Sequence, residues 1–192
     1  MRKSHKPLPS HLEDFLDWLD IEKGLASRSQ QNYAQFLRSF FIWLKDKKLS
    51  SLKPHEVTPE HIRLYRRFLS RGKPLQRSTQ NYYLIALRSF LAYFLEHDIV
   101  SLSPEKIKLA REKEEKKVHF LTLDQVEEFF RLPDISTFQG LRNRAILEVL
   151  FSTGLRIAEL VALNRQQIKF PKNLNDELEI VITGKGGRVR TI

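Results

Sequence analysis

Arg142-Asn-Arg-Ala-Ile-Leu-Glu-Val-Leu-Phe-Ser-Thr-Gly-Leu-Arg-Ile-Ala-Glu-Leu160 decides the architecture of the second half of this chain. With Leu141 before it, the apolar residues Ala145, Ile146, Val149 and Leu150 recur at helical spacing, and they predict a helix that starts after Pro133 and closes at Gly154. A second helix follows at once, from Arg156 to Leu163. The period then changes. Residues 177–183 read as a strand, Gly184-Lys-Gly-Gly187 as a turn and residues 188–192 as a second strand. A two-stranded hairpin is marginal by itself, and nothing follows the last strand to cover it, so the sequence reads as cut off. Upstream, Thr122-Leu-Asp-Gln125 is a capping box that opens a short helix through Phe130.

The first half is helical by pattern. Ser10-His-Leu-Glu13 reads as a capping box ahead of Leu12, Phe15, Leu16 and Leu19, a helix ended by Gly24. A helix over Ser27 to Asp46 carries Tyr33, Phe36, Leu37, Phe40, Phe41 and Leu44 as its apolar stripe. Thr58-Pro59 starts a third helix, with Ile62, Tyr65, Phe68 and Leu69, before Gly72 and Pro74 break the chain. A fourth, from Ser78 to Glu96, carries Tyr82, Ile85, Leu87, Phe90, Leu91 and Phe94. The second and fourth echo each other: Gln31-Asn-Tyr33 precedes Leu37-Arg-Ser-Phe40, and Gln80-Asn-Tyr82 precedes Leu87-Arg-Ser-Phe90 one residue further on. Two copies are too few for a solenoid, so they read as two helices with similar roles. Their starts are polar: Arg28 and Ser29 with Asn32, then Arg77, Ser78, Gln80 and Asn81, with Arg88 further along. Helix N-termini present unpaired N–H groups to phosphates, and amide or guanidinium side chains can read base edges. Packing accounts for Phe40 and Phe90 but not for these polar starts.

Charge is uneven. The net charge of +10 divides into 23 Lys/Arg against 14 Asp/Glu over residues 1–118, and 10 against 9 over residues 119–192. A field concentrated on the first part suggests an anionic partner, with nucleic acid leading. Residues 104–118 include the charged run EKIKLAREKEEKKV and lack a wide apolar stripe. They predict a linker between a domain over 1–103 and another over 119–192. No cysteine is present and the six histidines show no paired metal spacing, so neither metal nor cofactor is expected. No run is long enough to span a bilayer, and Pro7 and Pro9 interrupt the basic start where a signal peptide is apolar. The expected location is the cytoplasm.

Thr153-Gly-Leu-Arg156-Ile-Ala-Glu159-Leu160 resembles the first catalytic motif of the tyrosine recombinases, the phage-integrase and Xer class. The hairpin Thr183-Gly-Lys185-Gly-Gly-Arg188 resembles that family's lysine-bearing β-hairpin, and the N-terminal helices resemble its core-binding domain. The resemblance implies a mainly α chain: a helical SAM-like DNA-binding domain followed by the first portion, helices plus a β-hairpin, of an α+β catalytic domain. It also implies double-stranded DNA as partner, a monomer off DNA and a tetramer on paired sites. The chemistry it implies is attack of a tyrosine on a phosphodiester, leaving a 3′-phosphotyrosine and a free 5′-hydroxyl. Arg156 would neutralise the phosphorane, a task suited to a guanidinium that stays protonated. Lys185 would protonate the leaving 5′-oxygen, and Glu159 would orient the site. Gly184-Lys-Gly-Gly187 is no nucleotide-binding phosphate loop, because the earlier glycine and the following Ser/Thr are missing. The family's later His-x-x-Arg motif and its nucleophilic tyrosine do not occur before Ile192, and Tyr33, Tyr65, Tyr82, Tyr83 and Tyr93 all lie in the first domain. Two other readings stand beside the recombinase: a stand-alone DNA-binding remnant acting as an accessory factor, and a helical protein-interaction adaptor.

Overall fold

The computed structural model describes residues 1–72, 75–110, 120–168, 178–184 and 187–192. Its contacts divide the chain into two units, Met1–Glu115 and Lys116–Ile192. The first holds α1 (Leu12–Ile21), α2 (Ser27–Asp46), α3 (Pro59–Arg67) and α4 (Arg77–Glu96). The second holds α5 (Leu123–Arg131), α6 (Phe138–Thr153), α7 (Ile157–Val161) and the strands β1 (Val181–Thr183) and β2 (Val189–Thr191).

Local chemistry explains the starts of α3 and α5. The Thr58 hydroxyl accepts from the His61 N–H at 3.4 Å, and Pro59 occupies the first helical position, where no N–H is needed. Thr122 and Gln125 close the expected reciprocal box, with the Thr122 N–H donating to Gln125 Oε1 at 3.0 Å. The capping box expected at Ser10 does not form. Pro7 and Pro9 instead direct the chain into a 3₁₀ turn, Leu8–His11, and α1 grows straight out of it with no side-chain cap.

The first unit is organised as one motif used twice, fifty residues apart. Ser27 and Asp46 bound α2 as Arg77 and Glu96 bound α4. Leu37, Phe40, Trp43 and Leu44 are buried, as are Leu87, Phe90, Tyr93 and Phe94. In the first turn of each helix a glutamine side chain reaches back to fasten the entering chain: Gln30 Nε2 donates to the Leu25 carbonyl and Gln80 Nε2 to the Leu75 carbonyl, both at 2.7 Å. After each helix a non-glycine residue turns left-handed, Lys48 at φ 59° and Asp98 at φ 56°. Each is followed by a 3₁₀ turn, Pro54–Glu56 and Pro104–Lys106, and then by a buried aliphatic residue, Val57 or Ile107. The echo seen in the sequence is therefore real, but its register is set by these turns, so Gln80 matches Gln30 rather than Gln31.

This register corrects two expectations. Tyr82 and Ile85 are not core residues: they are 58 % and 37 % exposed, while Tyr83 and Leu84 are buried. Residues 104–110 are not linker. Ile107 is buried in the helical core, and Asn81 holds Ala110 through two hydrogen bonds, at 2.9 and 3.0 Å. Residues 111–118 of the expected linker lie outside the described residues. The core itself is aromatic. Phe90 meets Phe15 edge-on at 5.2 Å and Phe40 meets Tyr65 edge-on at 4.8 Å, geometries that aromatic quadrupoles favour, while Phe90 and Phe94 meet at a tilt at 4.7 Å.

The second unit buries far less. Among the described residues its buried apolar side chains are Leu155, Ile180 and Ile182, with Val149, Leu150 and Leu160 packed partly against them. Gly140 is required in α6, because a Cβ there would come within 1.8 Å of the Asp134 carbonyl oxygen. The antiparallel hairpin pairs Val181 with Thr191, Ile182 with Arg190 and Thr183 with Val189.

Candidate phosphate site and nucleic-acid interface

Gly154 ends α6 in the left-handed conformation, at φ 63°, which turns the chain sharply into Leu155 and Arg156. Leu155 anchors the turn in the small core. Arg156 then caps α7 in extended conformation, with its side chain 71 % exposed. Glu159 stands at the third helical position, and its carboxylate collects four donors. The Arg156 N–H donates at 2.9 Å, Arg156 Nη1 at 3.1 Å, and Arg190 grips it bidentately, Nη2 at 2.9 Å and Nη1 at 3.2 Å. Only 7 % of the Glu159 side chain is exposed. Gly184 lies against this pair: a Cβ there would sit 3.2 Å from Arg190 Nη1 and 3.3 Å from Glu159 Oε1.

Arg190 sits 31 residues from Glu159, and the sequence reading missed it. The signal was its parity. Pairing with the buried Ile182 puts Arg190 on the same face of the hairpin, where its half-exposed side chain reaches the buried Glu159 carboxylate. The arrangement gives Arg156 a fixed base and an outward fork: one guanidinium N–H is held by Glu159, and the exposed remainder projects as a donor set suited to a phosphate. An open cleft of about 500 Å³ adjoins it, lined by Arg156, Glu159, Asn164, Gln167, Thr183 and Gly184. Lys185, expected at the tip of the hairpin, lies outside the described residues.

The Arg190 guanidinium, with the Arg156 N–H, holds the Glu159 carboxyl down at a pKa of about 2. The folded value lies below the ordinary 4.5, so this pairing stabilises the unit fully above the ordinary value. That contribution disappears as pH falls through about 2. A carbon-13 titration of side-chain carboxyls should show Glu159 still ionised when other glutamates have protonated. Arg190→Gln should return its midpoint toward the ordinary range. A wild-type midpoint already near 4.5 would remove the latch.

In the helical unit the two polar helix starts divide by use. Arg28, Asn32 and Arg77 are exposed, and Ser29, Ser78 and Arg88 are half-buried. The amides of Gln80 and Asn81 are engaged by the protein's own backbone, at Leu75 and Ala110. Across α2 and α4 no carboxylate occurs before the last residue, Asp46 or Glu96, whereas α1 carries Glu13, Asp14, Asp17 and Asp20. The two long helices thus carry arginines and no acid before their last residues, while α3 adds Arg63, Arg66 and Arg67 to the positive charge of this unit.

Two family models match, and together they account for most of the chain: the phage integrase N-terminal SAM-like domain over residues 12–97, and the phage integrase family over residues 119–192. The chain belongs to the phage integrase family. Among curated family members it is 30 % identical over 184 residues to the tyrosine recombinase XerD of Lacticaseibacillus casei, an alignment covering 94 % of this chain and 58 % of that protein. It is 43 % identical over 72 residues to the tyrosine recombinase XerC of Chlamydia caviae, which covers 38 % of this chain and 22 % of that protein. The chain thus spans little more than half the length of the family member it matches most extensively here. The fold resembles that of a Tn1549 transposon integrase in complex with circular intermediate DNA, with TM-score 0.63 and 16 % identity over 97 % of this chain and 59 % of that one. It also resembles the XerH site-specific recombinase bound to difH substrate, with TM-score 0.63 and 21 % identity over 95 % and 51 % of the two chains. The architecture is therefore a SAM-like helical domain followed by helices and a hairpin of the phage-integrase fold. Among the described residues no helix is long and apolar enough to cross a membrane.

Proposed function

We propose that this chain serves site-specific DNA recombination: its helical unit grips duplex DNA, and its second unit supplies part of the site that activates the scissile phosphodiester. The observation that carries this reading is the Arg156 fork, exposed at a glycine-turned helix start and braced from behind by Glu159 and Arg190. A guanidinium so held meets the charge that develops on a phosphorane without reorganising. On the family's chemistry, a tyrosine oxygen bonds to phosphorus while the P–O5′ bond breaks, and Lys185 passes its proton to the departing oxygen. Glu159 keeps Arg156 oriented. The helical unit contributes Arg28, Ser29, Asn32, Arg77, Ser78 and Arg88 to the duplex surface. Off DNA the chain is a monomer, and recombination takes place in a tetramer on paired sites.

None of the five tyrosines of this chain is assigned the nucleophile's role. Tyr65, Tyr83 and Tyr93 are buried, and burial pushes the Tyr65 hydroxyl well above its ordinary pKa. The 192-residue chain should therefore bind a nicked suicide duplex and form no covalent adduct with it. Mass spectrometry of the denatured complex reads the result. Failure to bind any duplex would remove the DNA reading and favour a protein-interaction adaptor, whereas an adduct would overturn the separation of binding from cleavage.

A further inference from the structure

The fifty-residue repeat matches three positions of α2 with three of α4 and gives the second and third opposite chemistry, polar on α2 and apolar on α4. In α2 these are Arg28, Asn32 and Gln35; in α4 they are Ser78, Tyr82 and Ile85. Spacings of four and three residues put each triplet on one helical face. Arg28, Asn32 and Gln35 are exposed, as are Tyr82 and Ile85. Tyr82 is also held in place. Its ring lies nearly parallel to that of Phe36 on α2, at 10° and 6.3 Å, and Phe36 is in turn seated on Tyr83 at 4.7 Å. An aromatic ring is thus fixed at the surface between two long helices that carry arginines and no acid before their last residues.

We infer that Tyr82 and Ile85, backed by Phe36, form an apolar reading surface for thymine methyl groups in the major groove of the bound duplex. The inference rests on the DNA-binding reading above and assigns it a specificity determinant. Charge complementarity selects the occupant: an acid-free, arginine-bearing face suits a polyanion. Chemistry selects the base, because the thymine 5-methyl is the apolar group that a major-groove edge presents. The twin face on α2 carries amide and guanidinium groups, which match hydrogen-bonding base edges instead. The two halves of the repeat would then read different features of one site.

The test uses the whole 192-residue chain. Duplexes selected from a randomised pool are resynthesised with each thymine in turn replaced by deoxyuridine, which deletes only the methyl group. Binding of the wild type should weaken roughly fourfold at one or more positions, the ratio expected from one buried methyl-sized group. Tyr82→Ala should bind these duplexes without responding to the same replacements, and Tyr82→Phe should respond like the wild type. Since Tyr82 is largely exposed, Tyr82→Ala keeps the fold, which an unchanged urea midpoint checks. If no thymine position responds, or if Tyr82→Ala responds as the wild type does, the apolar reading surface is wrong while DNA binding stands. If no duplex binds with salt-dependent affinity, the DNA-binding reading itself fails, and this inference fails with it.

Discussion

Phe90→Ala lowers the stability of the helical unit by about 3–5 kcal/mol, the range for deleting a fully buried aromatic ring. Phe90 is wholly buried, and its ring contacts Phe15, Phe41, Tyr93 and Phe94. These neighbours come from α1, α2 and α4, so collapse around the hole would have to move three helices at once, and interiors relax only partly. Domains have only about 5–15 kcal/mol in hand, so the variant should be close to unfolding at body temperature. Phe40→Ala should cost a similar amount, because Phe40 fills the equivalent place fifty residues earlier, against Tyr65 and Trp43. Urea unfolding followed by aromatic fluorescence gives the midpoints. If Phe90→Ala moved the midpoint no more than an exposed substitution such as Ile42→Ala, the shared aromatic core would be refuted.

Duplex binding by the wild-type chain should fall steeply with salt. If Arg28, Arg77 and Arg88 each neutralise one phosphate, affinity drops roughly fortyfold between about 50 and 200 mM salt. Arg77→Ala should reduce that drop to about twelvefold, because one counterion release is lost. Arg77 is exposed at the first position of α4, and its replacement by alanine removes no buried contact. Fluorescence anisotropy across a salt series measures both slopes. An unchanged slope in Arg77→Ala would take this helix start off the phosphate backbone, whatever its effect at a single salt concentration.

Much of the fold was legible because helices are local. The α2 boundaries follow from apolar spacing alone, and Thr58-Pro59 and Thr122 with Gln125 state their own caps. The Arg156–Glu159 pair was legible for the same reason: the two are three residues apart, and one helical turn brings them together. Other features folded differently from the local pattern. Ser10 looked like a cap, but Pro7 and Pro9 had already committed the chain to a 3₁₀ turn. The amides of Gln80 and Asn81 also fasten backbone at Leu75 and Ala110, a use that no local pattern announced.

Sequence by itself determined the number of helices in the first unit, the Gly154 turn that presents Arg156, and the concentration of positive charge on the N-terminal half. Each is decided within a few residues of chain. Tertiary structure alone decided which of the adjacent Tyr82 and Tyr83 is buried, because periodicity marks a stripe but only the crossing of α2 and α4 selects the residue beneath it. It also decided that residues 104–110 close the first unit, through Ile107 and Asn81. Above all, it brought Arg190 to Glu159 across 31 residues of chain. A buried carboxylate needs compensating donors, and no local pattern specifies which distant cation will provide them.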